Sequence, residues 1–205
     1  MLPDADVVAD FRFVDDLPLT RDAIAFAQDR HRYQRRAADG APFLLHPLEV
    51  SSILKSCDCP DHVLAAAVPH DVLEDTDAER SDLTARFGSA VAELVALVSD
   101  DPGNGDEELR KDDVRERVRH AGGYALALYG ADKVSKIREL RMLMATGLDG
   151  DAAAVELRRY RKSLDMLEQT VDSQVVELLR FEVEALEALP PQPRAPASAP
   201  SLRTN

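Results

Sequence analysis

Two imidazoles and a set of carboxylates stand out in this chain as groups able to hold a cation. They are His46 beside Pro47, the dipeptide His70-Asp71, and Asp132 in Ala131-Asp132-Lys133. A second acidic pair, Glu74-Asp75, follows closely behind His70-Asp71. Each group alone is ordinary, and a lone His is more often a satisfied core residue than a ligand. Together, two nitrogen and two oxygen donors suit Mn, Fe, Co or Zn and leave coordination positions for water. An ion with open positions polarises a phosphoryl oxygen and generates hydroxide near neutral pH. On a continuous helix Glu74 shares a face with His70, one turn along, where it could hold or deprotonate the attacking water. The chemistry this points to is metal-assisted hydrolysis.

Only a folded chain brings such distant residues together, and the composition says what kind of fold does so. Ala, Leu, Glu, Arg and Asp dominate, aromatics are 5 % and Trp is absent, which favours helix over sheet. Thr20 reads as the N-cap of a helix running toward Arg36 and followed by a Gly/Pro loop over 37–42. Pro47 fits the first turn of the next helix, with Leu48, Ile53 and Leu54 on its buried side. Asp61 reads as the cap of a helix from His62 to about Leu73. Ser81 caps a short helix that Gly88 stops, and Val91, Leu94, Val95 and Val98 form an apolar stripe at helical spacing. After a loop over 100–106 come a charged helix from Glu107 to about His120, a helix from Tyr124 to Met144, and two more over 151–169 and 172–188. The expected fold is therefore all-α, one domain of about eight helices over 18–188. An N-terminal arm over 1–17 and a disordered Pro/Ala/Ser-rich tail over 189–205 flank it.

Charge narrows the function classes. Lys plus Arg number 25 against 38 Asp plus Glu, a formal charge of −13. Such a surface repels phosphate backbones, so neither nucleic acid nor an anionic membrane is an expected partner. A local basic pocket for a small anionic substrate stays compatible with it. Cys57 and Cys59 are too few for a disulfide framework or a thiolate zinc site, and read as free thiols. The first twenty residues are acidic and lack a signal-peptide core, and no run approaches the ~18 apolar residues of a membrane span. A cytoplasmic protein is expected.

The order of the segments carries a resemblance. His31-Arg32-Tyr33-Gln34-Arg35-Arg36, Gly40-Ala41-Pro42-Phe43-Leu44-Leu45-His46-Pro47, His70-Asp71-Val72-Leu73-Glu74-Asp75-Thr76, Phe87-Gly88-Ser89-Ala90-Val91-Ala92 and Ala131-Asp132-Lys133 follow one another. Over roughly residues 20 to 145 the chain resembles HD-domain phosphohydrolases, and within them the alarmone hydrolases of the Rel/SpoT type, including small stand-alone forms. The resemblance implies that His46, His70, Asp71 and Asp132 bind one divalent ion, Mn²⁺ first, with Fe, Co or Zn as alternatives. It also implies that Glu74 and Asp75 serve attack on a 3′-pyrophosphate, and that Arg36, with Arg35 beside it, packs against the guanine base. An Arg suits that task because its planar guanidinium stacks and hydrogen-bonds at once. His31 opens the motif as a structural residue.

Three positions depart from the family pattern. Pro69 stands where Leu is usual before His-Asp, so a kink or a fresh helix start at His70 is expected. Ser99-Asp100 stands for Thr-Lys, which exchanges a cation near the substrate for an anion. Lys136 replaces the Asn that usually contacts the nucleotide, and it lies four residues from Asp132, over the same face. Lys136 either meets a substrate phosphate or is a solvated charge. The function implied is a metal-dependent 3′-pyrophosphohydrolase acting on guanosine 3′,5′-bis(diphosphate). A nucleoside monophosphate phosphatase and a non-catalytic nucleotide- or metal-binding regulatory module are the alternatives.

Overall fold

Proline and glycine divide the chain into its helices. The computed structural model describes residues 14–100 and 105–189, and these form α1 (Pro18–Arg30), α2 (Leu45–Ser56), α3 (Asp61–Ala67), α4 (Val72–Asp75), α5 (Arg80–Phe87), α6 (Ser89–Val98), α7 (Glu107–Ala121), α8 (Gly123–Ala145), α9 (Gly150–Thr170) and α10 (Gln174–Glu187). Pro18 opens α1 at a position where its missing N–H costs nothing. Gly88 (φ 85°) and Gly122 (φ 68°) supply the left-handed turns that separate α5 from α6 and α7 from α8. No strand forms among the described residues, and one isolated bridge pairs Arg35 with Pro42. No described helix is long and apolar enough to cross a membrane. The expected N-terminal arm lies outside the described residues up to residue 13, and the expected tail lies outside them from residue 190.

Helix α8 is the axis of the fold. It packs against α2, α6, α7, α9 and α10, and its middle, from Ala125 to Ile137, is buried on nearly every side. A helix surrounded in this way has no single apolar stripe, which is why polar residues such as Asp132 and Ser135 end up inside. Gly130 lets α10 approach closely, since a Cβ there would stand 2.6 Å from Cγ1 of Val175.

Several sequence expectations are corrected by long-range bonds. The first helix stops at Arg30, not Arg36, because residues 34–43 fold into a hairpin-like loop with Arg36 N–H donating to Ala41 O (2.9 Å) and Phe43 N–H to Gln34 O (3.1 Å). Thr20 is not the cap of α1 but a buried anchor inside it. Its hydroxyl and N–H donate to the Asp61 carboxylate at 2.6 and 3.1 Å, and Leu19 N–H reaches the same carboxylate at 3.2 Å. Asp61, the first residue of α3 and not its cap, thus satisfies the open N-terminus of α1 from a neighbouring helix. Glu79, not Ser81, caps α5 through a reciprocal box with Asp82. The helix expected over His62–Leu73 ends at Ala67, and the single turn α4 stands apart, one reason that ten helices are found among the described residues where about eight were expected. Asp61→Ala should lower the unfolding free energy by about 1–2 kcal/mol. A denaturant midpoint unchanged from wild type would mean that water serves the α1 terminus equally well.

Candidate metal centre and adjoining cavity

Pro69 shapes the centre. Val68 keeps helical dihedrals (φ −70°, ψ −46°), so the helix lapses at the missing N–H of Pro69 and not at the residue before it. Helical bonding resumes at Val72, two residues later than a start at His70, and His70 and Asp71 occupy the turn between α3 and α4. His46 lies in the first turn of α2 and Asp132 in the buried middle of α8. The four side chains predicted from sequence meet there, all buried.

Hydrogen bonding settles which nitrogens carry protons when the imidazoles are neutral. His70 Nδ1 lies 2.7 Å from the carbonyl of Ala67, which can only accept, so Nδ1–H donates and Nε2 keeps its lone pair. His46 Nδ1 lies 2.9 Å from Ser135 Oγ, whose hydrogen goes to Glu49 Oε2 at 2.7 Å, so Nδ1–H of His46 donates as well. The two Nε2 atoms face each other at 3.3 Å. Asp71 Oδ2 stands 3.3 Å from His46 Nε2 and 3.1 Å from His70 Nε2, and Asp132 Oδ1 stands 3.2 and 3.4 Å from them. Both oxygens are buried without a hydrogen bond. Four electron-pair donors facing one another without a proton between them suit a cation, and the room beside them, about 20 Å³, is enough for an ion or one water. Donor atoms of His46, His70 and Asp132 all lie within 4.8 Å of one another.

The local field favours positive charge among these donors, a proton on His70 where no cation is held. Burial opposes charging His70, yet the Asp71 and Asp132 carboxylates outweigh it and push its pKa up to about 10. Burial likewise opposes the charge of Asp132, but Lys133 and Lys136 hold its carboxyl well below the usual range. Lys133 Nζ is 2.6 Å from Asp132 Oδ2, and Lys136 Nζ lies 3.1 Å from Asp132 Oδ1 and 3.4 Å from Asp71 Oδ1. Lys136 is therefore not a free surface charge: a third of its side chain is exposed, and its ammonium pairs with both acids. Glu74 lines the same small cavity. Burial, with the charge of Asp71 adding to it, raises its pKa.

An outer shell that the sequence reading did not single out holds His46. Ser135 and Glu49 each follow a donor by three residues, and that spacing on one helix face was the signal available. Glu49 continues to Arg138 (2.8 Å), and Arg138 to Glu182 on α10 (2.6 Å). A chain of partners of this kind fixes the tautomer and ring orientation of a ligating His.

The remaining predicted residues separate into two places. Arg35, Arg36 and Lys136 line a cavity of about 750 Å³ beside the small one, with Phe43, Leu140 and Tyr160. Arg36 is tied to Asp39 at 3.1 Å and to Met142 Sδ at 3.5 Å, whereas Arg35 is exposed. Asp75 does not line either cavity. It opens onto a separate hollow with Arg32 and Tyr33, and Gln34, itself bonded to His31 Nδ1, donates to it at 3.0 Å. Position 100 places an anion in the lining of the small cavity, and cations of the neighbouring helix meet it there. Asp100 faces α7, where Arg110 and Lys111 meet its carboxylate at 3.0 and 3.1 Å, and Lys111 lines the small cavity. Its N–H donates to Glu74 Oε1 at 2.6 Å.

Comparison with known proteins gives concordant findings. A family model described as HD domain matches residues 23–145. The guanosine-3′,5′-bis(diphosphate) 3′-pyrophosphohydrolase of Drosophila melanogaster is 34 % identical over 129 residues, covering 62 % of this chain and 72 % of that protein. The enzyme of the same name from Vibrio cholerae is 39 % identical over 94 residues, which are 46 % of this chain and only 13 % of that longer protein. Among solved structures, a metazoan ortholog of SpoT that hydrolyses ppGpp superposes with a TM-score of 0.74 at 29 % identity, covering 83 % of this chain and 96 % of that one.

Proposed function

Because the chain belongs to the HD-domain family, we propose that it is a divalent-metal phosphohydrolase that removes the 3′-pyrophosphoryl group of a guanosine nucleotide. The observation that carries this reading is the set of four lone-pair donors at the edge of a nucleotide-sized cavity. His46, His70, Asp71 and Asp132 would hold the ion, with Mn²⁺ the first choice for this mixed nitrogen and oxygen set. When bound, the ion supplies Lewis-acid polarisation of a phosphoryl oxygen and a lowered pKa for the attacking water. Glu74, half-buried and pinned by Asp100 N–H, takes a proton from that water. Water attacks the phosphorus attached to the 3′ oxygen, the bond from phosphorus to that oxygen breaks, and the products are pyrophosphate and the 3′-hydroxyl nucleotide. Lys136 stabilises the charge that collects on the phosphoryl oxygens. Arg36, backed by Asp39, and Arg35 offer guanidinium faces to the base. Asp75, held through Gln34, acts from outside the metal cavity by orienting the loop that carries Arg35 and Arg36.

Incubation of the purified protein with guanosine 3′,5′-bis(diphosphate) and Mn²⁺ should release pyrophosphate and guanosine 5′-diphosphate in equal amounts, and a chelator should stop it. Release of single phosphates instead would support a phosphomonoesterase. An absence of product with Mn²⁺, Fe²⁺, Co²⁺ and Zn²⁺ would reject hydrolysis of this substrate.

A further inference from the structure

The two oxygens of Asp132 have different surroundings. Oδ1 faces both imidazoles without a hydrogen bond, whereas Oδ2 accepts from Lys133 Nζ at 2.6 Å. Adjacent residues on a helix do not normally face each other, so this pairing needs something to turn the lysine back. Tyr129 does so. It lies one turn before Lys133 on α8, hence on the same face, and the ammonium stands 4.5 Å from the centre of its ring. The ring is fixed in its turn: it is buried, and its hydroxyl donates to Ser163 Oγ on α9 at 2.8 Å, the Ser163 hydrogen going to Arg159 O at 3.1 Å. Lys133 is itself largely buried and lines the small cavity together with Tyr129. The other acid is held more loosely, with Lys136 Nζ 3.4 Å from Asp71 Oδ1 and a third of the Lys136 side chain exposed.

A carboxylate can meet a cation through one oxygen or through both. Bound through both, it fills a coordination position that water or a phosphoryl oxygen would otherwise take. An oxygen already held by an ammonium is not free to turn toward the ion. We propose that Lys133 is a positioning residue that confines Asp132 to one donor oxygen and so keeps a coordination position of the metal open. With His46, His70, Asp71 and Asp132 each giving one atom, a six-coordinate ion retains about two positions, and each carboxylate that turns removes one. Tyr129 serves Lys133 in turn, as the surface that keeps the ammonium from moving away. This inference rests on the four-donor metal centre proposed above and not on which nucleotide is cleaved.

The test uses Mn²⁺ as the probe. Titration followed by the spin-resonance signal of free Mn²⁺ gives stoichiometry and affinity, and water-proton relaxation gives the number of waters on the bound ion. The wild type should bind about one ion per chain, carrying about two waters. Lys133→Met keeps the bulk of the stem and removes the ammonium. It should bind Mn²⁺ at the same stoichiometry and at least as tightly, with about one water fewer. Its turnover of guanosine 3′,5′-bis(diphosphate) should fall by ~10-fold or more. Lys133→Arg, which restores a charged donor, should return the water count to that of the wild type. An unchanged water count in a folded Lys133→Met overturns the inference. A folded Lys133→Met that loses the ion overturns it too, since the lysine would then support binding and not limit it. Should the Met variant fail to fold, the wild-type count decides: about two waters uphold the inference, and one or none overturns it. A wild type that binds no Mn²⁺ rejects the four-donor reading and this inference with it, whereas bound Mn²⁺ with an unmoved water count rejects the inference alone.

Discussion

Glu74→Gln is expected to cut turnover by ~100-fold or more while the bound metal remains at wild-type stoichiometry. The side chain is nearly isosteric, and its amide oxygen can still accept the N–H of Asp100, so α4 keeps its tie to the end of α6. What is lost is the basic carboxylate. Its basicity comes from burial first and from the charge of Asp71 second, both of which hold its pKa above that of an ordinary Glu. Steady-state kinetics beside metal analysis of the same sample separate this loss from a loss of the ion. Near-full activity in the variant would mean that another group takes the proton, and Asp75 is too far outside the small cavity to be the first suspect.

The largest effect on the molecule itself is expected from its donors. His70→Ala and Asp132→Ala should each reduce metal content from about one ion per chain to near none, and abolish the rise in melting temperature that metal gives the wild type. The two should differ once metal is removed. Asp132→Ala also strands Lys133, whose side chain is 14 % exposed and whose ammonium pairs with Asp132 at 2.6 Å, so it should cost about 3–5 kcal/mol even in chelator. His70→Ala leaves the carboxylates with their lysines and should cost markedly less under those conditions. Metal analysis and thermal melts with and without chelator check both. Unchanged metal stoichiometry in both variants would reject the four-donor assignment.

Residues whose side-chain chemistry is unusual for a core were legible from the sequence. His46, His70, Asp71 and Asp132 lie buried with their electron pairs facing one another and two of their oxygens without a hydrogen bond, a set that imidazole beside carboxylate already suggested. Pro69 announced a break for a reason internal to its ring. The all-helical class followed from residue type, and Gly88 and Gly122 from their freedom at positive φ. Features set by partners distant in sequence were not legible. Nothing near Arg30 ends α1; the bonds of Gln34 to Phe43 and Asp75 do, and these span 9 and 41 residues. Thr20 has the right chemistry for a cap, and only the approach of Asp61 makes it an anchor instead. Lys136 read from the sequence as a phosphate contact or a solvated charge, and only the fold put two acids beside it.

The outer shell of His46 bears on how much of the chain constitutes one working unit. From Ser135 the chain of bonds passes through Glu49 and Arg138 to Glu182, and Glu182 also grips Arg141 at 2.7 Å. Glu182 belongs to α10, well past residue 145, where the match to the family model ends. α10 also fills the notch that Gly130 leaves in α8. The segment inherited in recognisable form and the segment that folds as a piece therefore have different ends. A chain shortened to residues 23–145 keeps every donor atom of the centre yet leaves Arg138 and Arg141 without their buried carboxylate, so the orientation of His46 is governed from a helix outside that span.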